Sequence, residues 1–541
     1  MDGYLPPTLT TSGPPSLFGL NPVRTSPLSF AAAVRAGADK PAVGPITVSI
    51  MLATVMNSLD TTIANVALPH MAGSVSASAD QITWVLTSYI VAAAIMTPMT
   101  GWLSGRIGRK QLFLFSIAGF TAASMLCGIA TSLPEIVIFR LLQGLCGASL
   151  IPLSQSVLLD IYPREKHGQA MAIWGAGAIL GPILGPALGG WLTDNLSWRW
   201  VFYINLPIGI LAFTGVWLFI HGNKHDNPKK FDFFGFSSLI LFIGAFQVAL
   251  DRGSDQDWFH SREIWTEFII AAIALWLFVT QTLTAKEPFF DRAISRDRNF
   301  VVATVFGFAL GVLLFATLAL LPPMLEVLMG YPVVTTGLVT MPRGIGSFCA
   351  MFAVGRLIGR IDTRLILLVG LGLNGFALWQ MTHFSLEMNS MPVITTGIIQ
   401  GFGIGLLFVP LSTIGFATLD PKYRAEASSI FNLVRNLGSS AGISMLTAQQ
   451  IRDTSIAHSV LAANVSVDNP LIRALPQAMN PATTAGAVAL NGEITRQATM
   501  VAYIDDFKLL LYLNIAALPL LLLLRRPKTM ARPDPAHAAM D

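Results

Sequence analysis

Charged residues are scarce in this chain. Asp, Glu, Lys and Arg together make up 12% of its 541 residues, whereas hydrophobic residues make up 53%. So little charge cannot cover the surface of a water-soluble protein of this length, so the composition indicates an all-α polytopic protein embedded in a lipid bilayer. The formal net charge is only +4, and its placement does not favour nucleic acid as a partner.

Cysteine is also rare, and the motifs of nucleotide and metal chemistry are missing. Cys127, Cys146 and Cys349 fall inside hydrophobic runs and are interpreted as small packing residues. No Lys follows a Gly, which excludes the G-x-x-x-x-G-K-[ST] nucleotide loop, and there is no H-E-x-x-H motif or Cys/His cluster. We therefore expect no enzyme activity and no cofactor. A proton gradient, worth about 2.3 kcal/mol per charge per 100 mV, is the expected energy source.

Long hydrophobic runs are the main feature that is present. Each has about 20 residues, the length that a helix needs to cross about 30 Å of hydrocarbon. The sequence predicts fourteen such spans, near 46–68, 82–103, 111–130, 134–158, 168–192, 200–220, 233–250, 265–285, 300–322, 335–358, 364–384, 391–418, 425–447 and 506–525.

The distribution of Lys and Arg predicts the orientation of the spans. Residues 1–43 are rich in Pro, Ser and Thr, and we expect them to form a disordered cytoplasmic tail. On that basis 24 of the 34 Lys and Arg lie in cytoplasmic segments, six lie in external loops and four lie inside spans. Leaving out one span would invert every later segment, so this asymmetry supports fourteen spans with both termini in the cytoplasm.

The chain contains an internal repeat. GWLSGRI at 101–107 returns as GRLIGRI at 355–361, an offset of 254 residues, and Gln143-Gly144 returns as Gln400-Gly401. Duplicated bundles that face each other are typical of secondary transporters, whose central site opens alternately to each side of the membrane. The predicted organisation is a tail at 1–43, a six-helix bundle at 44–222, two inserted helices at 223–299, a six-helix bundle at 300–528 and a second tail at 529–541.

One connection is long. Residues 448–505, between the last two spans, are predicted to lie outside the membrane, and the composition from Thr483 to Ala502 suits one or two helices lying on the membrane or against the bundle. Such a segment can simply cover the outer face of the bundle, or it can bind a partner. The sequence leaves both interpretations open.

The fifth span has a glycine face. Four glycines recur at intervals of four residues, so one side of the helix has no side chains and another helix can approach closely. Two prolines on the same span remove backbone donors, which is tolerated where neighbours satisfy the freed carbonyls. The face is either a packing groove or, functionally, a gate or a seal against leakage. Its residues are Gly177, Gly181, Pro182, Gly185, Pro186 and Gly189.

Five stretches carry a resemblance to a known family. GPILGPALGG at 181–190 resembles the fifth-helix signature of major facilitator superfamily antiporters. LDTTIANVALP at 59–69, FRLLQGLCGASLIPLSQSVLL at 139–159, WRWVFYINLPIG at 198–209 and the Arg435-bearing run of the thirteenth span are similar to signatures of the fourteen-span drug:proton antiporters. Over residues 44–528 the chain looks like an EmrB-type multidrug exporter.

The resemblance implies a fold, a function and partners. The fold is the major facilitator fold, two six-helix bundles plus two inserted helices, and the function is proton-driven export of drugs across a bacterial inner membrane, with a role in antibiotic resistance. The implied partners are an EmrA-like periplasmic membrane-fusion adaptor and an outer-membrane channel. A transporter of the same fold dedicated to one metabolite or siderophore is the alternative. A further alternative is an intramembrane sensor or enzyme.

The loop between the second and third spans departs from the family. The usual pattern has an acidic residue directly before the first arginine, and here Gly105 occupies that position. A charge lock through that carboxylate is therefore not expected in the usual form, and the basic residues of the loop are expected to act mainly as topology determinants. The residues that match the family pattern are Gly101, Arg106, Gly108, Arg109 and Lys110.

Charged side chains inside the spans are candidates for the transport chemistry, because each is costly in hydrocarbon unless it is paired or hydrated. Asp60 and Arg140 lie at similar depths, roughly 9–12 Å from the outer ends of their spans at 1.5 Å per residue, and the resemblance implies that these helices are neighbours. The pair is either a permanent clamp or a group whose protonation biases the cavity. Because arginines outnumber this acid, weakly acidic lipophiles are the favoured substrates. Candidates for lining the substrate cavity are Asn57, Asn65, Gln143, Arg343 and Arg435.

Overall fold

The structure is a computed structural model that describes residues 3, 43–220, 230–253, 256–463, 465, 479–480 and 483–524. Within these residues the chain forms helices joined by turns, and no strand occurs there. Most of the predicted N-terminal tail and all of 529–541 lie outside the described residues. In chain order the α-helices are α1 (Val43–Ser74), α2 (Ala79–Ile82), α3 (Trp84–Met96), α4 (Met99–Ile107), α5 (Arg109–Ile129), α6 (Leu133–Gly147), α7 (Leu150–Ile161), α8 (His167–Asn195), α9 (Trp200–Tyr203), α10 (Asn205–Phe219), α11 (Phe233–Arg252), α12 (Arg262–Thr284), α13 (Arg292–Arg296), α14 (Arg298–Pro323), α15 (Val333–Leu357), α16 (Thr363–Met381), α17 (Met391–Ala417), α18 (Arg424–Ala463), α19 (Thr484–Ala516) and α20 (Leu520–Leu523).

The helices coincide with the predicted spans. In the part of the chain that the structure describes, 12 helices are long and apolar enough to cross a membrane, and the pair α3 and α4, bent by 58°, makes a thirteenth. The remaining predicted span, 425–447, lies within α18, a helix of 40 residues that is too polar to meet the same criterion. Its Ser428 and Asn432 are buried. These two polar side chains therefore face other helices rather than lipid, which a hydropathy pattern does not distinguish.

The connection predicted at 448–505 is helical at both of its ends, over 448–463 and 484–505, while 464, 466–478 and 481–482 lie outside the described residues. α18 continues to Ala463 and α19 begins at Thr484, so both helices extend beyond the predicted spans. The expected helicity after Thr483 is confirmed, but this segment continues directly into the last span instead of forming a separate helix. Hydropathy marks where a helix leaves the hydrocarbon, whereas good helix formers allow the helix itself to continue.

The residues from Val43 onward form one compact unit with two helical bundles. In the first half α1 packs along α8 and α3 packs along α6, and in the second half α14 packs along α18 and α15 packs along α17. The inserted helices α11 and α12 pack on each other, and α11 also contacts α3 and α18. The halves meet where α8 contacts α15 and where α4 and α7 contact α18. α8 also contacts α17, where Trp174 and Phe408 stack with their ring centroids 5.6 Å apart.

Candidate functional site

A buried ion pair lies at the centre of the first half. Arg140 on α6 donates from Nη1 to Oδ2 of Asp60 on α1 at 2.7 Å. Both residues are 0% exposed. The sequence prediction that these two residues meet is therefore confirmed. Two opposite charges that are removed from water are stabilised only where further hydrogen bonds satisfy their remaining atoms.

Amide side chains complete the hydrogen bonding of the carboxylate. Oδ1 of Asp60 accepts from Nε2 of Gln143 at 2.9 Å and from Nδ2 of Asn205 at 2.9 Å. Asn205, the first residue of α10, also donates to Oγ of Ser124 at 2.9 Å. Asp60 therefore accepts three hydrogen bonds from side chains of α6 and α10. We call Asp60, Arg140, Gln143 and Asn205 the buried charge cluster.

The guanidinium of Arg140 has partners besides Asp60. Its Nε donates to the Val85 carbonyl oxygen at 3.1 Å, and its Nη1 donates to Oε1 of Gln143 at 2.8 Å. Its carbon Cζ lies 4.3 Å from the ring centroid of Tyr89, close enough for a cation–π contact. Arg140 can therefore stay satisfied in part if Asp60 becomes neutral.

The other predicted cavity residues are divided by the structure. Asn57 lies beside the buried charge cluster, where it donates to the Tyr89 hydroxyl at 3.1 Å. Asn65 is exposed and is not part of the cluster. Asn205 was missed by sequence reasoning, although it is the polar residue that interrupts the apolar run after Trp198. Only its hydrogen bond to Asp60 distinguishes it from a packing residue.

The two remaining intramembrane arginines are held within the second half. Arg343 on α15 is 6% exposed and donates from Nη2 to the Leu314 carbonyl oxygen at 3.2 Å. Arg435 on α18 is partly buried, with its Cζ 5.6 Å from the ring centroid of Phe408. The first half therefore contains one intramembrane arginine, Arg140, and the second half contains two. Of these three arginines, the structure shows a buried carboxylate partner only for Arg140.

The glycine face of α8 packs against α1. A Cβ atom added at Gly181 would lie 2.5 Å from Oγ of Ser58, and one added at Gly185 would lie 2.8 Å from Cβ of Thr62. A Cβ added at Gly177 would meet the Met51 side chain, and one added at Gly189 would lie 2.9 Å from the Ile63 carbonyl oxygen, both on α1. The predicted packing groove is confirmed, whereas a gating role stays a prediction.

Side chains of α1 also satisfy carbonyls of the proline-containing helix. Pro182 has no N–H, so the Ala178 carbonyl lacks its usual helical donor. Oγ of Ser58 donates to that carbonyl at 2.5 Å, and Oγ1 of Thr62 donates to the Gly181 carbonyl at 3.0 Å. α8 runs through both prolines as one helix, His167–Asn195, and α1 replaces the donor that Pro182 removes.

The loop between α4 and α5 takes part in a contact between the halves. Arg109 pairs with Asp160 at the end of α7, and Arg424 at the start of α18 donates to the other oxygen of Asp160 at 2.8 Å. Asp160 therefore lies between an arginine of the first half and an arginine of the second half. The expectation that the basic residues act mainly as topology determinants is incomplete, because Arg109 also connects the halves through Asp160.

The other loop residues have structural roles. Gly108 adopts a φ of 88°, which favours glycine, and Gly101 allows close approach of the backbone of Glu426. Lys110 donates from Nζ to the Trp217 carbonyl at 2.7 Å, and Arg106 lies over the ring of Trp102 at 5.3 Å.

The two halves contact each other at their predicted cytoplasmic ends. The contact continues along α8 and α15 as far as the middle of these helices. Oε1 of Gln155 on α7 accepts from Ser428 at 2.5 Å and from Asn432 at 3.1 Å, both on α18. Along α8 and α15, close contacts run from Gly168 with Ile358 to Ile183 with Gly344. Farther along α15, toward the predicted outer side, a Cβ added at Gly337 would meet no atom within 4 Å, so no neighbour packs closely on that glycine.

Comparison with known proteins supplies the family. The model described as Major Facilitator Superfamily matches residues 50–443. The "Probable multidrug resistance protein EmrY" of Escherichia coli (strain K12) is 36% identical over 474 residues, covering 86% of this chain and 92% of that protein. The "Multidrug export protein EmrB" of the same strain is 36% identical over 432 residues, covering 80% and 84%. The "Fatty acid resistance protein FarB" of Neisseria gonorrhoeae is 36% identical over 489 residues, covering 89% and 96%.

Solved structures agree on the fold. The human organic anion transporter MFSD10 (TETRAN) superposes with a TM-score of 0.58 at 14% identity, covering 88% of this chain and 100% of that chain. The proton:xylose symporter XylE superposes with a TM-score of 0.57 at 12% identity, covering 87% and 94%. At these identities the likeness shows the fold alone. The chain is a multi-pass transporter, not an enzyme, and it belongs to the Major Facilitator Superfamily as an EmrB-type multidrug efflux permease.

Proposed function

We propose that this permease is a proton-coupled antiporter that exports lipophilic, weakly acidic compounds across a bacterial inner membrane by alternating access. The observation that carries the proposal is the fully buried ion pair between Asp60 and Arg140 in two membrane-crossing segments. Separating the pair while both groups are charged would leave two unpaired charges at a depth where each costs at least about 2.5 kcal/mol. Protonation of Asp60 removes one of those charges, so the proton controls whether α1 and α6 can move apart.

The contacts of Arg140 suit such a step. When a proton neutralises Asp60, the guanidinium loses its ionic partner but keeps the Val85 carbonyl, the Gln143 amide oxygen and the Tyr89 ring. The cost of separation is thereby lowered on both sides of the pair. Proton binding from one side of the membrane and release to the other would then drive the exchange of conformations.

The proton site is connected to the contact between the halves through two helices. α1 carries Asp60, and it also carries Ser58, which packs on the glycine face of α8. α8 in turn forms the contact with α15. A shift of α1 on protonation therefore acts directly on the helix that joins the two halves. Uptake of substrate from the cytoplasm requires the contacts of Asp160 with its two arginines to break.

The test is transport by purified protein in proteoliposomes with an imposed pH gradient, using the fluorescent lipophilic acid 4-(1-pyrenyl)butanoate. Asp60→Asn should abolish pH-driven transport while the protein still inserts and binds the probe. Asp194→Asn, which changes an exposed acid on α8, is the matched control and should transport like the wild type. Asp60→Glu keeps the acid and should retain some transport. Full pH-driven transport by Asp60→Asn would exclude the proton role.

We also propose an EmrA-like periplasmic adaptor, and beyond it an outer-membrane channel, as partners. The support is the projecting pair of helices formed by α18 and α19, which is linked by a hydrogen bond of 3.0 Å between His458 and Asn491. α18 has 40 residues and is therefore about 60 Å long at 1.5 Å per residue, twice the thickness of the hydrocarbon. Exposed apolar side chains on this projection include Val460 at 58% and Val488 at 68%.

Photocrosslinking residues placed along 455–463 and 484–500 test the adaptor contact. They should capture the adaptor, whereas the same residues placed on the lipid-facing side of α12 should not. An adaptor that co-purifies undiminished after both helices are shortened would locate the contact elsewhere. The predicted orientation, with both termini in the cytoplasm, places these helices on the side that such an adaptor occupies.

A further inference from the structure

The second half contains a modified copy of the buried charge cluster. In the first half, a Cβ added at Gly144 of α6 would lie 2.5 Å from the Tyr89 carbonyl oxygen of α3. In the second half, a Cβ added at Gly401 of α17 would lie 2.8 Å from the Arg343 carbonyl carbon of α15. Gly401 is the repeat equivalent of Gly144, and Arg343 follows Tyr89 by the same 254 residues that separate the two loop motifs. The two contacts are therefore equivalent by sequence and by geometry.

In the second half the arginine of the cluster lies on a different helix. Gln143 is matched by Gln400, but the position that corresponds to Arg140 is Gly397, and the arginine stands instead at the position of Tyr89. Gly397 leaves room for it, because a Cβ added there would already lie 3.5 Å from Cβ of Arg343. The equivalent place in each of the two bundles thus holds an arginine and a glutamine.

The carboxylate of the cluster is missing from the copy. The sequences of α14, α15, α16 and α17 contain neither Asp nor Glu. Asp506 on α19 is a buried acid of this half, but both of its carboxylate oxygens lack a hydrogen-bond partner within the described residues, so it does not pair with Arg343. The modified cluster therefore has the donors of the first-half cluster without its acid.

Polar atoms of the copy are left unsatisfied. Nη1 of Arg343 and Oε1 of Gln400 are buried without a hydrogen-bond partner among the residues that the structure describes. The two side chains lie against the same turn of α14, because Arg343 donates to the Leu314 carbonyl and Gln400 donates to Oγ1 of Thr317 at 3.3 Å. A buried guanidinium with one free nitrogen is costly, and an anion that accepts from it removes that cost.

We propose that this pocket, between α14, α15 and α17, binds the carboxylate of an anionic substrate, which takes the place of the missing acid opposite Arg343. The inference rests on the proposed export function and names the group that recognises the substrate. The neighbouring residue Gly344 packs on Ile183 of α8, a helix of the other half. The modified cluster thus lies beside the contact between the halves, next to which a substrate in a central cavity would be held.

The test is binding without any gradient, so it does not depend on proton-driven transport. Purified protein in nanodiscs is titrated at neutral pH with 4-(1-pyrenyl)butanoate and with its uncharged primary amide, and energy transfer from tryptophan to pyrene reports binding. The wild type should prefer the acid. Arg343→Gln should lose at least about tenfold in affinity for the acid, with little change for the amide. Arg343→Lys, which keeps the charge but not the fork of donors, should keep a smaller preference for the acid.

Arg356→Gln is the matched control, since Arg356 is an exposed arginine of the same helix, and it should bind both probes like the wild type. Equal losses for acid and amide in Arg343→Gln, or a wild type that does not bind the acid more tightly than the amide, would overturn the proposal. If Arg343→Gln fails to fold, Arg343→Lys decides, because an unchanged preference for the acid in a folded protein with altered donor geometry contradicts carboxylate recognition by this guanidinium. A wild type that prefers the acid but shows no pH-driven transport in proteoliposomes would refute the proton coupling instead, and would leave carboxylate recognition standing.

Discussion

Replacing Gly181 by alanine tests the packing of α1 on α8 with a single methyl group. That methyl carbon would lie 2.5 Å from Oγ of Ser58 and no farther from the Ser58 carbonyl group. Ordinary contacts between non-bonded carbon atoms are about 3.5–4.0 Å, so the two helices must separate by about 1 Å. Such overpacking costs about 1–3 kcal/mol of unfolding free energy.

The separation also weakens two hydrogen bonds, from Ser58 to the Ala178 carbonyl and from Thr62 to the Gly181 carbonyl. Interhelical hydrogen bonds in a membrane average about 0.6 kcal/mol each, so the expected total loss is about 2–4 kcal/mol. Because replacing Gly by Ala also raises helix propensity by up to about 1 kcal/mol, the change must be compared with a matched variant. Gly190→Ala on the same helix is that control, since its methyl would meet only Val66, at 3.9 Å.

The assay is reversible unfolding of the two purified variants in the same detergent, together with efflux from cells. Gly181→Ala should be less stable than Gly190→Ala by about 2–4 kcal/mol, with transport reduced because α1 also carries Asp60. Equal stabilities of the two alanine variants would refute the close packing. Normal stability with lost transport would instead favour a gate over a packing groove.

The remaining predictions concern the loop, the inter-half contact and the topology. Asp160→Asn should weaken the contact with its two arginine partners, so a cysteine introduced at the buried Ala172 in a background without the native cysteines should be alkylated faster; an unchanged rate would contradict the contact. Gly105→Asp should be accepted without loss of stability, since nothing lies within 4 Å of a Cβ at that position; a large drop in melting temperature would show that the space is not free. Reporter fusions after Lys230 and after Ala485 should give cytoplasmic and external signals respectively, and the same signal from both would refute the predicted orientation.

Much of the candidate site could be predicted from the sequence because charge is so rare in the spans. Asp60 and Arg140 stand out against apolar neighbours, and counting residues along each helix places them at one depth. Asn205 shows the limit of this reasoning. An amide in an apolar span has no long-range sequence signal, and its role follows only from the packing of α10 beside α1.

The second half also contains a contact that could not be predicted from the sequence. A repeat of sequence identifies Gln400 with Gln143, but it does not say that Arg343 occupies the space that Gly397 leaves open. The arginine of the second half therefore stands on the helix that corresponds to α3 and not on the one that corresponds to α6. Pairwise sequence matching therefore misses it, whereas the backbone contact of Gly401 with Arg343 reveals it.

The sequence by itself determined the membrane class, the two related halves and the glycine face of α8, because hydropathy, period and residue size act locally along a helix. The tertiary structure alone decided which side chains contact each other across the fold. Asp160 pairs with Arg109 and with Arg424 of the other half, and α18 buries Ser428 and Asn432 although its composition is too polar for a lipid-exposed span. Both outcomes depend on groups far apart in the chain, whose meeting is set by how whole helices pack and not by any local pattern.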